Sequence, residues 1–437
     1  MQYERESDIV AIVDRYGRLI NLKRLKVKHT TEGLGNIKSK QKIYDTTDAR
    51  QISQKLLPKM VFDFVEGGAG RECAVARNQN RFDEILLQPR VLEDVSARSL
   101  STNILNYNFD VPFGIAPMGM CNLVHHDADK IMCEVARAKN LPFCVSSASS
   151  TSLETVRNDT GVNSWFQLYM GNSLEHYMSL IDRAKEAGYQ TLVLTVDVPQ
   201  VSRRTRDLRN GFKVPFKIGL SQFIDFAMHP SWSLNKILHG TPRPRNYDGY
   251  EGVKFDRYAS RAGLNWDLLS QLRDTWKGNL IVKGVTSPSD AQKIVSYGVD
   301  AIYVSNHGGR QLDSVPAAID LLPSIRDTVG REFPIIFDSG IRGGEDALKA
   351  LALGANFVML GRPVLHAIGA DGKKGLTSLF DAISEDISVG LAQLGLKTIQ
   401  QINANCVWPL SNHLRNPGQS DQTENWLISV PKKKEQA

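Results

Sequence analysis

From Pro112 onward the sequence repeats one unit eight times: a short apolar run, a loop that begins on polar residues or glycine, then a stretch of helical periodicity. That repetition restricts the fold more than any other feature of the chain. Continuous apolar runs suit parallel strands buried on both faces, and parallel strands need a crossover helix between them. Eight consecutive units therefore predict an α/β fold of the (β/α)8 TIM barrel type, folded as a single domain. Strands are expected at residues 112–116, 143–147, 164–169, 191–197, 280–285, 301–306, 334–340 and 357–362. The barrel takes residues 46–410, with an N-terminal extension (1–45), a long insertion after the fourth strand (206–265) and a C-terminal tail (411–437).

Barrels of this type carry their chemistry at the carboxyl ends of the strands, and nearly every strand here ends in a polar residue or glycine. The sixth runs into Ser305-Asn306-His307-Gly308-Gly309-Arg310-Gln311-Leu312-Asp313. His307 and Arg310 combine a proton acceptor with a carboxylate-binding fork, while Gly308 and Gly309 keep backbone bulk away from a ligand. An ordinary polar turn is the alternative. The third strand ends Gln167-Leu168-Tyr169 and the fourth Thr195-Val196-Asp197, and alternation turns the first and third residue of each triplet to one side. Asp197 serves either a site or the cap of the next helix. Lys283 is either a buried electrostatic stabiliser or a Schiff-base lysine. The last two turns, Asp338-Ser339-Gly340-Ile341-Arg342-Gly343-Gly344 and Leu360-Gly361-Arg362-Pro363, offer backbone amides and two arginines where barrels commonly seat a phosphate.

Taken with Leu57-Pro58-Lys59-Met60, these strings resemble the FMN-dependent α-hydroxy-acid oxidases and dehydrogenases, over about residues 57–402 and most of all the membrane-associated mandelate and lactate dehydrogenase branch. The resemblance implies FMN as cofactor and oxidation of an (S)-2-hydroxy acid to the 2-oxo acid. It implies that Ala116, Pro117 and Met118 lie along the flavin ring, that Ser146, Gln167 and Thr195 surround it, and that Lys283 offsets charge on it. Asp338, Gly340, Arg342, Gly361 and Arg362 complete the cofactor set. On the substrate, Arg204 and Arg310 hold the carboxylate, Tyr169 contacts the hydroxyl, and His307, paired with Asp197, takes a proton. Gly119 and Ala148 flank the substrate side chain, and their small size implies room for an aryl or longer chain. Two departures stand out. Phe64 replaces a tyrosine that many relatives direct at the substrate carboxylate, and Gly343 replaces a second arginine in the phosphate turn. Another FMN barrel, such as an isomerase, and a flavin-binding barrel without turnover are the rival readings. Quinone or oxygen as electron acceptor, hydride or proton removal at the α-carbon, and a homotetrameric state are matters on which the residues give no decision beyond the resemblance.

A net charge of +6 on 437 residues is too small to argue for nucleic acid, for which no recognition motif is present. The cysteines Cys73, Cys121, Cys133, Cys144 and Cys406 are odd in number and lack metal-ligand spacing, so neither disulfide nor metal is expected and a cytoplasmic setting is. The charged start of the chain has no signal-peptide pattern, and no apolar run is long enough to cross a bilayer. An amphipathic helix is expected from Thr47 to Gly67 and helices about residues 375–395. The insertion's apolar middle, residues 216–230, is flanked by Arg206, Arg209, Lys213, Lys236, Arg243 and Arg245. It reads either as a peripheral contact with the anionic inner face of a membrane or as an active-site lid.

Overall fold

The computed structural model describes residues 42–169, 174–212, 219–247 and 260–409, together with the backbone of two short strands near the amino terminus. The chain divides into a unit of residues 1–37 and one of residues 38–437. The first contains an antiparallel pair in which Ile12 faces Ile20 and Val13 faces Leu19. The second contains the barrel; the expected boundary at 45 falls inside this second unit, and the expected tail from 411 lies outside the described residues.

All eight expected strands are present, shorter than anticipated at several carboxyl ends: β1 (Phe113–Ile115), β2 (Phe143–Ser146), β3 (Ser164–Leu168), β4 (Thr191–Thr195), β5 (Asn279–Val285), β6 (Ala301–Val304), β7 (Ile335–Phe337) and β8 (Phe357–Leu360). Each pairs in parallel with its neighbours in sequence, and β8 closes on β1 through Met359 opposite Gly114. The residues beyond the strand ends leave the ladder, so their backbone is available to the loops that carry function.

Two side-chain layers of opposite character fill the barrel because the strand period is two. Cys144, Trp165, Val193, Ile281, Tyr303, Ile336 and Phe357 point inward and pack together. The antiparallel hairpin Thr102–Ile104 and Tyr107–Phe109 closes the lower end, with Phe109 packed 5.7 Å from Phe357 and 6.4 Å from Trp165 between ring centroids. Two residues further along most of these strands, the next inward positions are Ser146, Gln167, Thr195, Lys283, Ser305 and Asp338, all buried. The apolar layer thus ends where a polar floor begins. Outward residues such as Val145, Leu192, Val282 and Ile302 join the larger core against the surrounding helices.

The amphipathic stretch expected as one helix is two, Thr46–Leu56 and Lys59–Glu66. Pro58 between them has no N–H to donate and holds Leu57 extended at φ −97° and ψ 141°, which ends the first helix. The last helix starts earlier than expected, at Arg362, and runs to Gln393 with a break in helical geometry at Asp371 and Gly372. Within the insertion, helices Leu220–Met228 and Pro230–His239 are described, whereas Lys213 and Phe216 lie outside the described residues.

Candidate active site

A cavity of about 1360 Å³ including its mouth opens at the carboxyl ends of the strands. Its floor is two hydrogen-bonded groups on the polar layer. Ser146 Oγ donates to Gln167 Oε1 at 2.8 Å, and Gln167 Nε2 donates to Thr195 Oγ1 at 2.9 Å. Beside them, Lys283 Nζ donates to Ser305 Oγ at 2.7 Å and stands 2.9 Å from Asp338 Oδ2. Burial alone would push the Asp338 carboxyl up, but Lys283 and the Ser305 hydroxyl hold it below the usual carboxylate value.

The loop after β6 brings His307 over this floor. His307 has φ +59°, and Gly308 and Gly309 follow at +62° and +74°, an unusual run of left-handed backbone for which a non-glycine residue needs support. The support is visible. His307 N donates to Ser305 Oγ at 3.0 Å and Gly308 N to Ser339 Oγ at 3.0 Å. The imidazole lies between two partners, with Nδ1 3.0 Å from Asp197 Oδ1 and Nε2 3.3 Å from Tyr169 Oη. Asp197 gets that close because Gly284 has no side chain: a Cβ there would sit 2.5 Å from Asp197 Cγ. Burial, with Asp197 nearby, pushes the Tyr169 phenol above its usual value, so it remains protonated and able to donate.

Guanidiniums crowd the rim. Arg310 donates through Nη1 to the carbonyls of Phe64, Val65 and Gly67 at 3.1, 3.2 and 2.7 Å, and lies 5.5 Å from the centroid of the Phe64 ring. Phe64 in turn stacks on Phe212 with centroids 4.6 Å apart. Arg362 reaches Val65 O, Gly308 O and Gly67 O at 3.1, 2.9 and 2.9 Å. Burial, with the neighbouring charges of Arg342 and Arg204, pushes Arg362 down to about 10, although Glu66 and Glu72 offset part of the effect. The long helix from Arg362 also directs its amino terminus, at Gly361, toward the cavity, which favours an anion there. A Cβ at Gly361 would meet only Met118 Sδ, at 3.8 Å, so space lies above that amide. Arginines and a helix terminus on the β7–β8 side, amide and hydroxyl groups across the floor and a buried lysine suit the phosphate, ring edge and electron-rich centre of FMN. The residues present fit the group.

Of the residues singled out in the sequence, Phe64, Ala116, Pro117, Met118, Gly119, Ser146, Ala148, Tyr169, Thr195, Arg204, Lys283, His307, Arg310, Asp338, Gly340, Arg342, Gly361 and Arg362 line this one cavity. Asp197 and Gln167 stand one layer back, each hydrogen-bonded to a lining residue. Three polar lining residues escaped the sequence reading. Ser339 and Gln311 sit inside quoted strings but carry no motif of their own, and Arg261 follows the insertion in a stretch with no pattern.

The basic flanks of the insertion need correction at two positions. Arg206 turns inward to Asp63 Oδ1 at 3.0 Å and to Glu72, so it belongs to the barrel rather than to a membrane-facing rim. Lys236 Nζ donates to Asn122 O, and burial pulls its ammonium down to about 8. With Trp232 Nε1 donating to Leu123 O at 2.9 Å, it ties the second insertion helix to the loop after β1. Arg209, Arg243 and Arg245 are exposed. The outer side of the helix pair shows Leu220, Phe223, Ile224, Met228, Leu234, Ile237 and Leu238, each 50–78% exposed. Among the described residues, no helix is long and apolar enough to cross a membrane.

The chain is 36% identical to (S)-mandelate dehydrogenase of Pseudomonas putida over 369 residues, spanning 83% of this chain and 93% of that protein. It is 36% identical to an L-lactate dehydrogenase of Acinetobacter baumannii over 374 residues, 82% of this chain and 96% of the other. A crystal structure of the monotopic membrane protein (S)-mandelate dehydrogenase superposes with a TM-score of 0.81 at 35% identity, covering 84% of this chain and all of that one. A mandelate oxidase structure with (S)-mandelic acid reaches a TM-score of 0.72 at 29% identity, over 84% and 98% of the two chains. Residues 53–409, which hold every strand of the barrel and every group around its cavity, match the family described as FMN-dependent dehydrogenase, and the chain belongs to that family.

Proposed function

We propose that this protein oxidises an (S)-2-hydroxy acid to the 2-oxo acid, with a substrate side chain that is aryl or longer than methyl, and passes the electrons to quinone at the inner face of a membrane. The observation that carries the reading is one imidazole, His307, held between Asp197 and Tyr169 in a cavity rimmed by Arg204 and Arg310. FMN, when bound, supplies the two-electron acceptor. Arg204 and Arg310 bind the substrate carboxylate and orient the reacting carbon. Tyr169 donates to the hydroxyl oxygen. His307 accepts the departing proton at Nε2, the nitrogen turned away from Asp197, and the Asp197 carboxylate stabilises the imidazolium that results. Lys283 stands ready beneath with a positive charge that offsets the negative charge arriving at the cofactor. Gly119 and Ala148, both small, line the cavity, and because a Cβ at Gly119 would come within 3.0 Å of Ala148 Cβ, the room that this reading gives to mandelate over glycolate lies beside Ala148.

The exposed apolar side chains of the insertion, with Arg209, Arg243 and Arg245 close in sequence, support peripheral attachment to an anionic bilayer, as does the description of the structural relative as monotopic. Such attachment places the site where a lipid-soluble quinone is available. A homotetramer, tested by sedimentation, completes the proposal. Anaerobic mixing of the yellow holoprotein with mandelate, 2-hydroxyoctanoate, lactate and glycolate tests the reaction itself. Bleaching is expected, fastest with the first two. A protein that none of them bleaches is not a 2-hydroxy-acid dehydrogenase, and one that prefers glycolate lacks the roomy pocket assigned to it.

A further inference from the structure

Arg261 lies outside every motif, yet its guanidinium lines the same cavity. Its backbone N–H donates to Pro199 O at 2.8 Å, which fixes it to the loop after β4. The guanidinium rests over Tyr169, 5.1 Å from the ring centroid. Its Nη1 is buried and, among the described residues, has no hydrogen-bond partner. Arg261 as a whole is half-buried, but this one N–H is enclosed without an acceptor, and an anion would answer both the N–H and the charge.

The anion is not the cofactor's phosphate. Arg342 and Arg362 follow β7 and β8, whereas Tyr169 follows β3, on the other side of the closed barrel. The common carboxylate of the substrate is also provided for, by Arg204 and Arg310.

We propose that Arg261 recognises a carboxylate at the far end of the substrate side chain, so that the preferred substrates are 2-hydroxydicarboxylic acids. This narrows the substrate class proposed above and rests on that reading. The cation over the Tyr169 ring also holds the phenol that faces His307, so binding of the second carboxylate is coupled to the orientation of the group at the hydroxyl.

Two isosteric pairs separate charge from size: (S)-2-hydroxyglutarate against its 5-amide, and 4-carboxymandelate against 4-carbamoylmandelate. Wild-type holoprotein is mixed anaerobically with each, and binding of 2-oxoglutarate is followed separately by the perturbation of flavin absorbance. In at least one pair the acid is expected to exceed the amide by roughly 10- to 100-fold in kcat/KM, the range of a charge-assisted hydrogen bond. Arg261→Gln abolishes that ratio and weakens 2-oxoglutarate binding by the same factor, and Arg261→Lys restores part of both. Equal rates within both pairs, or a ratio that survives Arg261→Gln, overturns the assignment while leaving the reaction intact. A uniform loss on all substrates also overturns it, since Arg261 would then serve the carboxylate common to them. Absence of bleaching by any 2-hydroxy acid, mandelate included, overturns both readings together.

Discussion

At the scale of single residues, Phe64 is the departure with the clearest consequence. Its ring stacks on Phe212 and lies against Arg310, so it packs the rim, and in the proposed reading it offers the substrate carboxylate no hydroxyl donor. Phe64→Tyr preserves the stack and is expected to lower KM for lactate and glycolate by roughly tenfold, the effect of one hydrogen bond to a charged group. An unchanged KM in steady-state assays would show that position 64 does not face the carboxylate. Asp197→Asn tests the partner of His307. It should slow turnover by roughly 10²-fold with FMN retained, because the amide cannot supply the negative charge that favours imidazolium; full turnover would remove Asp197 from the mechanism. Asp197 was legible because it falls at fixed spacing from the end of β4, whereas Phe64, inside the helix Lys59–Glu66, was marked only by the family resemblance. Arg261 was not, since a lone arginine after a long insertion has no periodicity to place it, and only the folded chain brings it over Tyr169.

Among the elements, the helix pair of the insertion and the helices near Glu66 behave in ways the sequence showed in part. The apolar run and its basic flanks were readable, but the inward turn of Arg206 and Lys236 depends on Asp63, Glu72 and Asn122, all far away in sequence. Phe223→Asp combined with Ile237→Asp is expected to reduce co-flotation with anionic liposomes by at least ~10²-fold, since burying each such side chain contributes about 1.5–3 kcal/mol. Undiminished flotation would assign the pair to a lid. At the other end, Glu66 is bonded to Arg50 and lies 3.5 Å from His366 Nε2, joining the first helices to the last. Burial pushes the Glu66 carboxyl up, but His366 and Arg50 overcome it and hold the carboxyl far below its usual 4.5. A depressed carboxylate stabilises the fold fully above its unfolded value, and the contribution is lost as pH falls through the folded value. The stability gap between wild type and Glu66→Gln should therefore be constant near neutrality and narrow as pH drops below 4.5; urea titrations that show a gap independent of pH would contradict this.

For the whole molecule, the eightfold repetition was sufficient to specify the barrel, and the period of two within each strand explains why the site is where it is. Each inward apolar residue of the lower layer is followed two positions later by an inward polar one on most strands, so closing the barrel assembles the floor without further instruction. The chain could not announce the break at Pro58 as clearly, because helical periodicity continues on both sides of it, nor the early start of the last helix, because Arg362 and Pro363 read first as part of a phosphate turn. The central claim is that closure places His307 as the proton acceptor above the cofactor. Anaerobic stopped-flow reduction of His307→Ala holoprotein by its best 2-hydroxy acid tests it most directly, with FMN content checked by absorbance. Bleaching slowed by roughly 10²- to 10⁴-fold at unchanged FMN content is the predicted result, and bleaching at the wild-type rate would contradict it.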